Sequence, residues 1–354
     1  MIPKSVKLAL ALLGLAVCIS TQARWDANAL PNDVALVHHG RYLVYLPQAY
    51  GDDPQRVWPT IVYLHTRTEW GDDLERLKTN GLTEYLTRHE LDAIVVAPQT
   101  PQGQSWQPAF IDAVMRDAAA RYRVDYTRTY LTGASLGAMG AWSTAIAFPD
   151  RFAAFVPISG AIFNDVAALS LGSPLAPKSD LVAPLKRLAG LPTWIRYGDA
   201  DSVVPPPIMA RSAALLRDAG GAVRETVARE GGHDQWTAAY DGESGVLDWM
   251  LRQEKSGATA WRPGTAPEAQ RYSGAYCDSF GEVRATIEPA GNFLKVAWMR
   301  SGGADLLARL DDEHFVGTGL VTFRFGEPSD GAHATAITYL GVSTFEYRCA
   351  RPKS

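Results

Sequence analysis

Residues 130–142 read YLTGASLGAMGAW. The apolar residues at 129–132 predict a buried strand, the small residues after Ser135 predict a helix, and GASLG (133–137) joins the two. A Gly-x-Ser-x-Gly sequence at such a junction holds the serine hydroxyl at the tip of a strained strand-to-helix turn. We expect glycine at 133 and 137 because a Cβ there would collide with the turn or the neighbouring strand. The turn also places the N–H of Leu136 at a helix N-terminus, where developing negative charge is stabilised.

The composition is that of an ordinary globular protein. The chain has 354 residues, 47% of them hydrophobic, and a formal net charge of -4. This length predicts one large domain or two unequal ones. The slightly acidic balance argues against a nucleic-acid partner, which would require a basic face. The sequence leaves the oligomeric state open.

The first 23 residues have the pattern of a secretory signal peptide. Two lysines precede the apolar run 8–19, and small residues occupy the cleavage-determining positions before 24. A membrane anchor is the alternative, but a run of this length is short for a bilayer, so we expect no stable membrane insertion after cleavage. A lipid anchor on Cys18 is disfavoured because Val17 stands where a lipobox needs a small residue. We therefore predict a secreted or periplasmic protein.

Strand and helix patterns alternate through a predicted catalytic domain at 24–252. Near-continuous apolar runs predict parallel strands buried on both faces, and the alternation predicts an α/β fold with a mainly parallel sheet. In such sheets, ligands bind outside the carboxyl ends of the strands. The predicted strands are 41–47, 58–65, 91–98, 129–132, 152–158, 193–197 and 223–227, and the predicted helices are 108–122, 136–148, 181–188, 207–219 and 236–251.

A polar segment rich in Gly, Pro and Ala at 253–270 predicts a linker. Beyond it, residues 271–354 show a period of two without helical stretches, which predicts a small antiparallel β domain, a barrel or a sandwich. Cys277 and Cys349 are the two cysteines left after signal cleavage. In an oxidising compartment they favour a disulfide over two buried free thiols, and they are too few for a zinc site.

A serine nucleophile needs a base, and the base needs a carboxylate to orient it. In this fold the acid and then the histidine follow the serine, each just past a strand end. Asp201 lies after the strand at 193–197 and His233 lies after the strand at 223–227, so we predict them as acid and base for Ser135. Asp199 is the competing acid.

The second oxyanion donor is expected from the loop after the strand at 58–65, where Thr66 and Arg67 are both candidates. With this loop the sequence resembles the secreted esterases of the α/β-hydrolase superfamily, which include feruloyl esterases, acetylxylan esterases, polyhydroxybutyrate depolymerase-like proteins and predicted peptidases. The matching segments are VVAPQ (95–99) with Trp106, RTYLTGASLG (128–137), FAAFVPISG (152–160), Gly198 with Asp201 and Pro205, and Gly232-His233 with Trp236.

The resemblance implies an α/β-hydrolase fold, a Ser-His-Asp triad, no metal or organic cofactor, and substrate contact by Trp106 and Gln99. Packing beneath the loop is the alternative role for those two residues. The family's oxyanion-loop glycines are Thr66 and Thr68 here, and β-branching restricts the loop conformation. Three functions stay open: an exported esterase acting on a small-molecule or polymer-linked ester, a peptidase or amidase with the same triad, and a degenerate hydrolase that only binds.

Overall fold

The computed structural model describes residues 24–31, 40–162, 185–256, 269–278, 280–299, 302–310, 313–317, 322–326, 337–339, 343–345 and 347–348. The predicted signal peptide at 1–23, most of the predicted linker, most of the predicted helix at 181–188, and Cys349 lie outside these residues. The domain boundaries therefore stay predictions.

The first unit is an eight-stranded sheet in the order β1-β2-β4-β3-β5-β6-β7-β8. The hairpin β1–β2 joins β4 in antiparallel fashion, and all the strands from β4 across to β8 are parallel. This order confirms the α/β fold with a mainly parallel sheet. The strands are β1 Arg24–Ala29, β2 Arg41–Leu46, β3 Trp58–Leu64, β4 Ile94–Gln99, β5 Val124–Ala134, β6 Ala154–Ile158, β7 Thr193–Gly198 and β8 Val223–Ala228.

Helices cover both faces of this sheet, and two apolar clusters fill the space between the layers. The central strands β3 and β4 are buried along their whole length, as their continuous apolar sequences predict. The helices are α1 Gly81–Tyr85, α2 Pro108–Arg121, α3 Leu136–Ala147, α4 Pro206–Asp218, α5 Trp236–Tyr240 and α6 Val246–Leu251, with 3-10 turns at Gln48–Gly51, Arg67–Glu69, Leu74–Thr79 and Pro149–Arg151.

The prediction of one helix over 236–251 is wrong, because the segment forms α5 and α6 with a turn between them. Gly242 and Gly245 adopt φ values of 83° and 71°, which end a right-handed helix. The Asp241 carboxylate accepts hydrogen bonds from the N–H groups of Glu243 and Ser244 and stabilises the turn.

The second unit is an antiparallel meander that follows a short helix, α7 Ala269–Tyr272. Its strand order is β16-β15-β14-β13-β12-β11-β10-β9-β17, so β16 and β17 lie at opposite ends of the order. Only position 346 separates these two strands in the sequence, which brings the two ends of the strand order together. Of the predicted barrel and sandwich, this order favours the barrel, and the unit is called the barrel below. Its strands are β9 Gly274–Cys277, β10 Val283–Ala290, β11 Phe293–Trp298, β12 Ala304–Arg309, β13 His314–Val316, β14 Thr322–Phe325, β15 Ile337–Tyr339, β16 Ser343–Phe345 and β17 Tyr347–Arg348.

Aromatic side chains fill the barrel. Tyr272, Phe315 and Phe325 pack edge to face, with ring centroids 4.9 to 5.2 Å apart. These contacts favour a core role for the barrel aromatics.

The outer wall of the barrel packs on the helices of the first unit. Leu306 and Ala308 of β12 belong to the same apolar cluster as α2 and α3. The Arg187 guanidinium donates hydrogen bonds to Ile146 O (3.0 Å) at the end of α3 and to Leu310 O (2.6 Å) just after β12. One cation thus joins both units.

Cys277 is buried in β9 and disulfide-bonded. Tyr347 of β17 pairs directly with Cys277, two positions before Cys349. Because Cys349 lies outside the described residues, its pairing with Cys277 remains a prediction.

Candidate active site

Ser135 lies between β5 and α3 with φ 53° and ψ -118°. A non-glycine residue with positive φ is strained, and such strain is typical of functional turns. The two flanking glycines permit the turn, as predicted. A Cβ on Gly133 would lie 2.4 Å from Gly137 O, and one on Gly137 would lie 1.9 Å from Leu64 O at the end of β3.

His233 and Asp201 meet Ser135 at the carboxyl ends of the strands. The Ser135 hydroxyl lies 2.8 Å from His233 Nε2, and His233 Nδ1 lies 2.7 Å from Asp201 Oδ2. A carboxylate only accepts hydrogen bonds, so we assign the proton to Nδ1, which leaves Nε2 free to accept the serine proton. This arrangement suits general-base activation of a hydroxyl.

The Asp201 carboxylate is held rigidly. Its side chain has 0% exposure, and Oδ1 accepts the N–H groups of Val203 (2.8 Å) and Val204 (2.9 Å). These bonds leave Oδ2 for the imidazole. The competing candidate, Asp199, is exposed on the same loop, and the carboxylate in contact with His233 is that of Asp201.

The start of α3 supplies one candidate oxyanion donor. Leu136 is the first residue of the helix, so its N–H has no acceptor within the helix. The close approach of Gly137 to Leu64 O brings this helix end against the loop that follows β3. The two predicted sources of oxyanion donors are therefore neighbours.

Between the two candidates for the second donor, hydrogen bonding favours Arg67. The Thr66 N–H already donates to Glu69 Oε2 at 2.8 Å, deep in the protein. Arg67 is the first residue of the 3-10 turn Arg67–Glu69, a position whose N–H has no acceptor within the turn. In the part of the chain that the structure describes, no acceptor contacts this N–H.

His65 orients the peptide that carries the Arg67 N–H. His65 Nε2 accepts the N–H of Thr100 (3.1 Å), so the proton lies on Nδ1, which donates to Thr66 O (2.6 Å). Burial lowers the pKa of His65 to about 4, which keeps the imidazole neutral. Since a trans peptide is planar, fixing Thr66 O toward His65 points the Arg67 N–H the opposite way.

Thr66 and Thr68 stand where the family has glycines, and their side chains form hydrogen bonds within the loop. The Thr66 and Thr68 hydroxyl oxygens are 2.8 Å apart, and the Thr68 N–H donates to Thr66 Oγ1 at 3.2 Å. Thr66 and Glu69 form a capping box around the turn. The loop is thus ordered by side chains.

Trp106 and Gln99 are buried. Trp106 is 1% exposed and packs edge to face on His65 with centroids 4.7 Å apart. Gln99 is 2% exposed, and its Nε2 donates to Glu69 O and Asp73 O. The contacts favour packing beneath the oxyanion loop, and direct substrate contact by either residue remains a prediction.

Sequence reasoning missed two residues of this region, Glu69 and Asn80. Glu69 Oε1 accepts the Asn80 amide at 3.0 Å, and Asn80 Oδ1 accepts the indole N–H of Trp236 at 2.9 Å. The Thr-x-x-Glu spacing of the capping box was the local signal for Glu69. The link from Asn80 to Trp236 spans 156 positions and leaves no local signal.

The described residues contain no group of three His, Cys, Asp or Glu side chains placed to hold a metal ion. They also contain no helix with the length and apolar character needed to span a bilayer.

Comparison with known proteins bears on the fold. No protein-family model matches the sequence, and a search of curated proteins finds no match. Among solved structures, a thermostable esterase superposes with a TM-score of 0.51 and 23% identity, over 65% of this chain and 63% of its own. A ferulic acid esterase superposes with a TM-score of 0.50 and 18% identity, over 66% of this chain and 99% of its own. This chain thus covers less than two thirds of the thermostable esterase, and the likenesses confirm the α/β-hydrolase fold.

Proposed function

From the premise that this chain has the α/β-hydrolase fold, we propose that it is a serine hydrolase that cleaves carboxylic esters through an acyl-enzyme. The observation that carries the proposal is the hydrogen-bonded series of Ser135, His233 and Asp201, with 2.8 and 2.7 Å between the contacting atoms. The esterase likenesses support the choice of an ester substrate, whether small or polymer-linked. We also propose export, which rests on the signal-peptide pattern of residues 1–23.

In the acylation step, Ser135 Oγ attacks the ester carbonyl carbon while its proton passes to His233 Nε2. The carbonyl oxygen becomes an oxyanion that accepts hydrogen bonds from the N–H groups of Leu136 and Arg67. When the tetrahedral intermediate collapses, the C–O bond to the alcohol breaks, and His233 returns the proton to the departing oxygen. Asp201 stabilises the imidazolium throughout.

Deacylation repeats the sequence with water as the nucleophile. The water oxygen attacks the acyl carbon while His233 Nε2 takes a proton from the water. Collapse of the second tetrahedral intermediate breaks the bond to Ser135 Oγ, which recovers its proton from His233. The products are a carboxylic acid and an alcohol, and no step requires a cofactor.

A fluorophosphonate probe and a substrate panel test the proposal. We expect the probe to label the purified protein at Ser135 and expect turnover of acetyl, butyryl or feruloyl esters. In Ser135→Ala, we expect labelling to vanish and kcat to fall by about 10⁴-fold or more, because the nucleophile is lost.

The panel also separates the alternatives. Amide turnover without ester turnover would make the protein a peptidase or amidase. A wild-type protein that neither reacts with the probe nor hydrolyses any ester would be a binding protein with a degenerate site. Ser143→Ala is the matched control, because this buried serine donates to Gly140 O within α3.

A further inference from the structure

Glu69 is a buried carboxylate beside the candidate oxyanion loop. Its side chain is 2% exposed. Oε2 accepts the Thr66 N–H, and Oε1 accepts the Thr68 hydroxyl and the Asn80 amide (3.0 Å). Burying a carboxylate is costly unless donors compensate it. In the described part of the chain these donors are neutral, and Glu69 forms no ion pair with a lysine or arginine. His65 Nδ1, 4.0 Å from Oε2, belongs to a neutral imidazole.

Asn80 joins Glu69 to the loop of the catalytic histidine. The indole N–H of Trp236 can only donate, and the carboxylate can only accept, so the orientation of the Asn80 amide between them is fixed. The Trp236 ring then packs edge to face on His233, with centroids 5.2 Å apart and an angle of 87°.

We call Glu69, Asn80 and Trp236 the polar bridge. In the sheet, β5, β6 and β7 lie between β3, which precedes Glu69, and β8, which precedes His233. The polar bridge therefore connects two loops whose strands are not neighbours. These loops carry the Arg67 N–H and the His233 imidazole, two groups that must act on one carbonyl.

We propose that Glu69 is a positioning residue, which through the polar bridge fixes the oxyanion loop relative to His233. The inference rests on the proposed function. With Thr66 N–H held by Glu69 and Thr66 O held by His65, the peptides on both sides of Thr66 are fixed, and the N–H of Arg67 is the group left to face the substrate.

Single substitutions break the polar bridge without changing its shape. Glu69→Gln turns one acceptor into an NH2 group that faces a donor, and Asn80→Asp sets a second carboxylate against Glu69. We expect each to lower kcat by about 10- to 100-fold with little change in KM, since a displaced donor weakens oxyanion binding more than substrate binding. Glu75→Gln is the matched control, because Glu75 is exposed and pairs with Lys78.

The double variant Glu69→Gln/Asn80→Asp restores the bridge with the two groups exchanged. The NH2 group introduced at position 69 donates to the carboxylate introduced at position 80, whose other oxygen accepts the Trp236 indole N–H. The amide carbonyl at position 69 accepts the Thr66 N–H. We therefore expect kcat to rise toward the wild-type value. Trp236→Phe, which keeps a ring against His233 but removes the N–H, is expected to lower kcat as well.

We would measure kcat per active site titrated with the fluorophosphonate probe, so that misfolded protein is not counted. The inference is overturned if the titrated single variants and Trp236→Phe keep the wild-type kcat, or if the double variant is no faster than the slower single variant. Either result leaves wild-type ester turnover intact. A failure of the proposed function is a different observation, namely an inert wild-type protein.

Discussion

At the scale of single residues, His65 shows how a buried imidazole can serve as a hydrogen-bonding brace. One ring nitrogen accepts the Thr100 N–H and the other donates to Thr66 O, so neither is available for proton transfer. Burial lowers its pKa to about 4, against 6.5 for an ordinary histidine. The imidazole of His65 is therefore neutral in the folded protein at neutral pH.

This pKa predicts a loss of stability in acid. Between pH 6.5 and pH 4 the unfolded chain binds a proton at residue 65 that the folded chain does not, so the free energy of unfolding falls as the pH falls. The difference amounts to about 3 kcal/mol. Urea unfolding at pH 7 and pH 4.5 measures it. In His65→Asn this contribution is expected to vanish, whereas the exposed control His89→Asn should retain it. Equal pH slopes in wild type and His65→Asn would contradict the prediction.

The meeting of Ser135, Asp201 and His233 could be predicted because each lies just past a predicted strand of the alternating strand–helix pattern, and parallel strands end at one edge. The choice of Arg67 over Thr66 could not, since it depends on which N–H the Glu69 carboxylate reaches. Burial of Trp106 was equally hidden, because a tryptophan in a loop has the same local sequence whether it packs or faces a ligand.

At the scale of elements, the contact between α3 and the end of β3 fixes the distance between the nucleophile and the oxyanion loop. Gly137 makes it possible, since a Cβ there would lie 1.9 Å from Leu64 O and 2.6 Å from His65 O. Both obstacles are backbone atoms, which cannot rotate aside. The helix and the strand end would have to separate.

We therefore expect Gly137→Ala to slow fluorophosphonate labelling of Ser135 by at least about tenfold and to destabilise the fold by about 1–3 kcal/mol. The labelling rate and thermal unfolding measure the two effects. Gly190→Ala is the control, because a Cβ at Gly190 would meet no atom within 4 Å. If both variants labelled and melted alike, the contact would not control the site.

The strands of the first unit were largely predictable, and several of the barrel were not. In β12 the run Leu306–Leu307–Ala308 is buried on both sides, because Leu307 faces the barrel core while its neighbours face the helices of the first unit. Such a strand lacks the alternation that identifies antiparallel strands. The strand β13 has three residues, too few to show a period.

At the scale of the whole molecule, the barrel covers an apolar face of the first unit, while the candidate catalytic residues lie at the strand ends. The contact joins Leu306 and Ala308 to the helices, and Arg187 reinforces it. The barrel is therefore placed as a brace, without a described contact to Ser135, Asp201 or His233.

Truncation after Ser256 tests this role. It keeps the hydrogen bonds from Lys255 N–H to Thr127 O and from the Tyr130 hydroxyl to Gln253 O, which secure the end of the first unit. We expect an unchanged kcat on a soluble ester in the fraction that stays in solution, and lower solubility, because an apolar face is exposed. Full-length Phe280→Ser, altered at a barrel residue that is 90% exposed, is the soluble control. A soluble but inactive truncated protein would assign the barrel a part in the site.

The pairing of β9 with β17 sets an order of events during synthesis. Residues 274–277 are synthesised some 70 positions before their partners at 347–348, so they stay unpaired on that side while the residues between them are added. The parallel sheet has all its strands by position 228 and can fold earlier. Until β17 pairs with β9, the aromatic interior of the barrel is open to chaperones and to aggregation, so this single pairing ends the vulnerable interval.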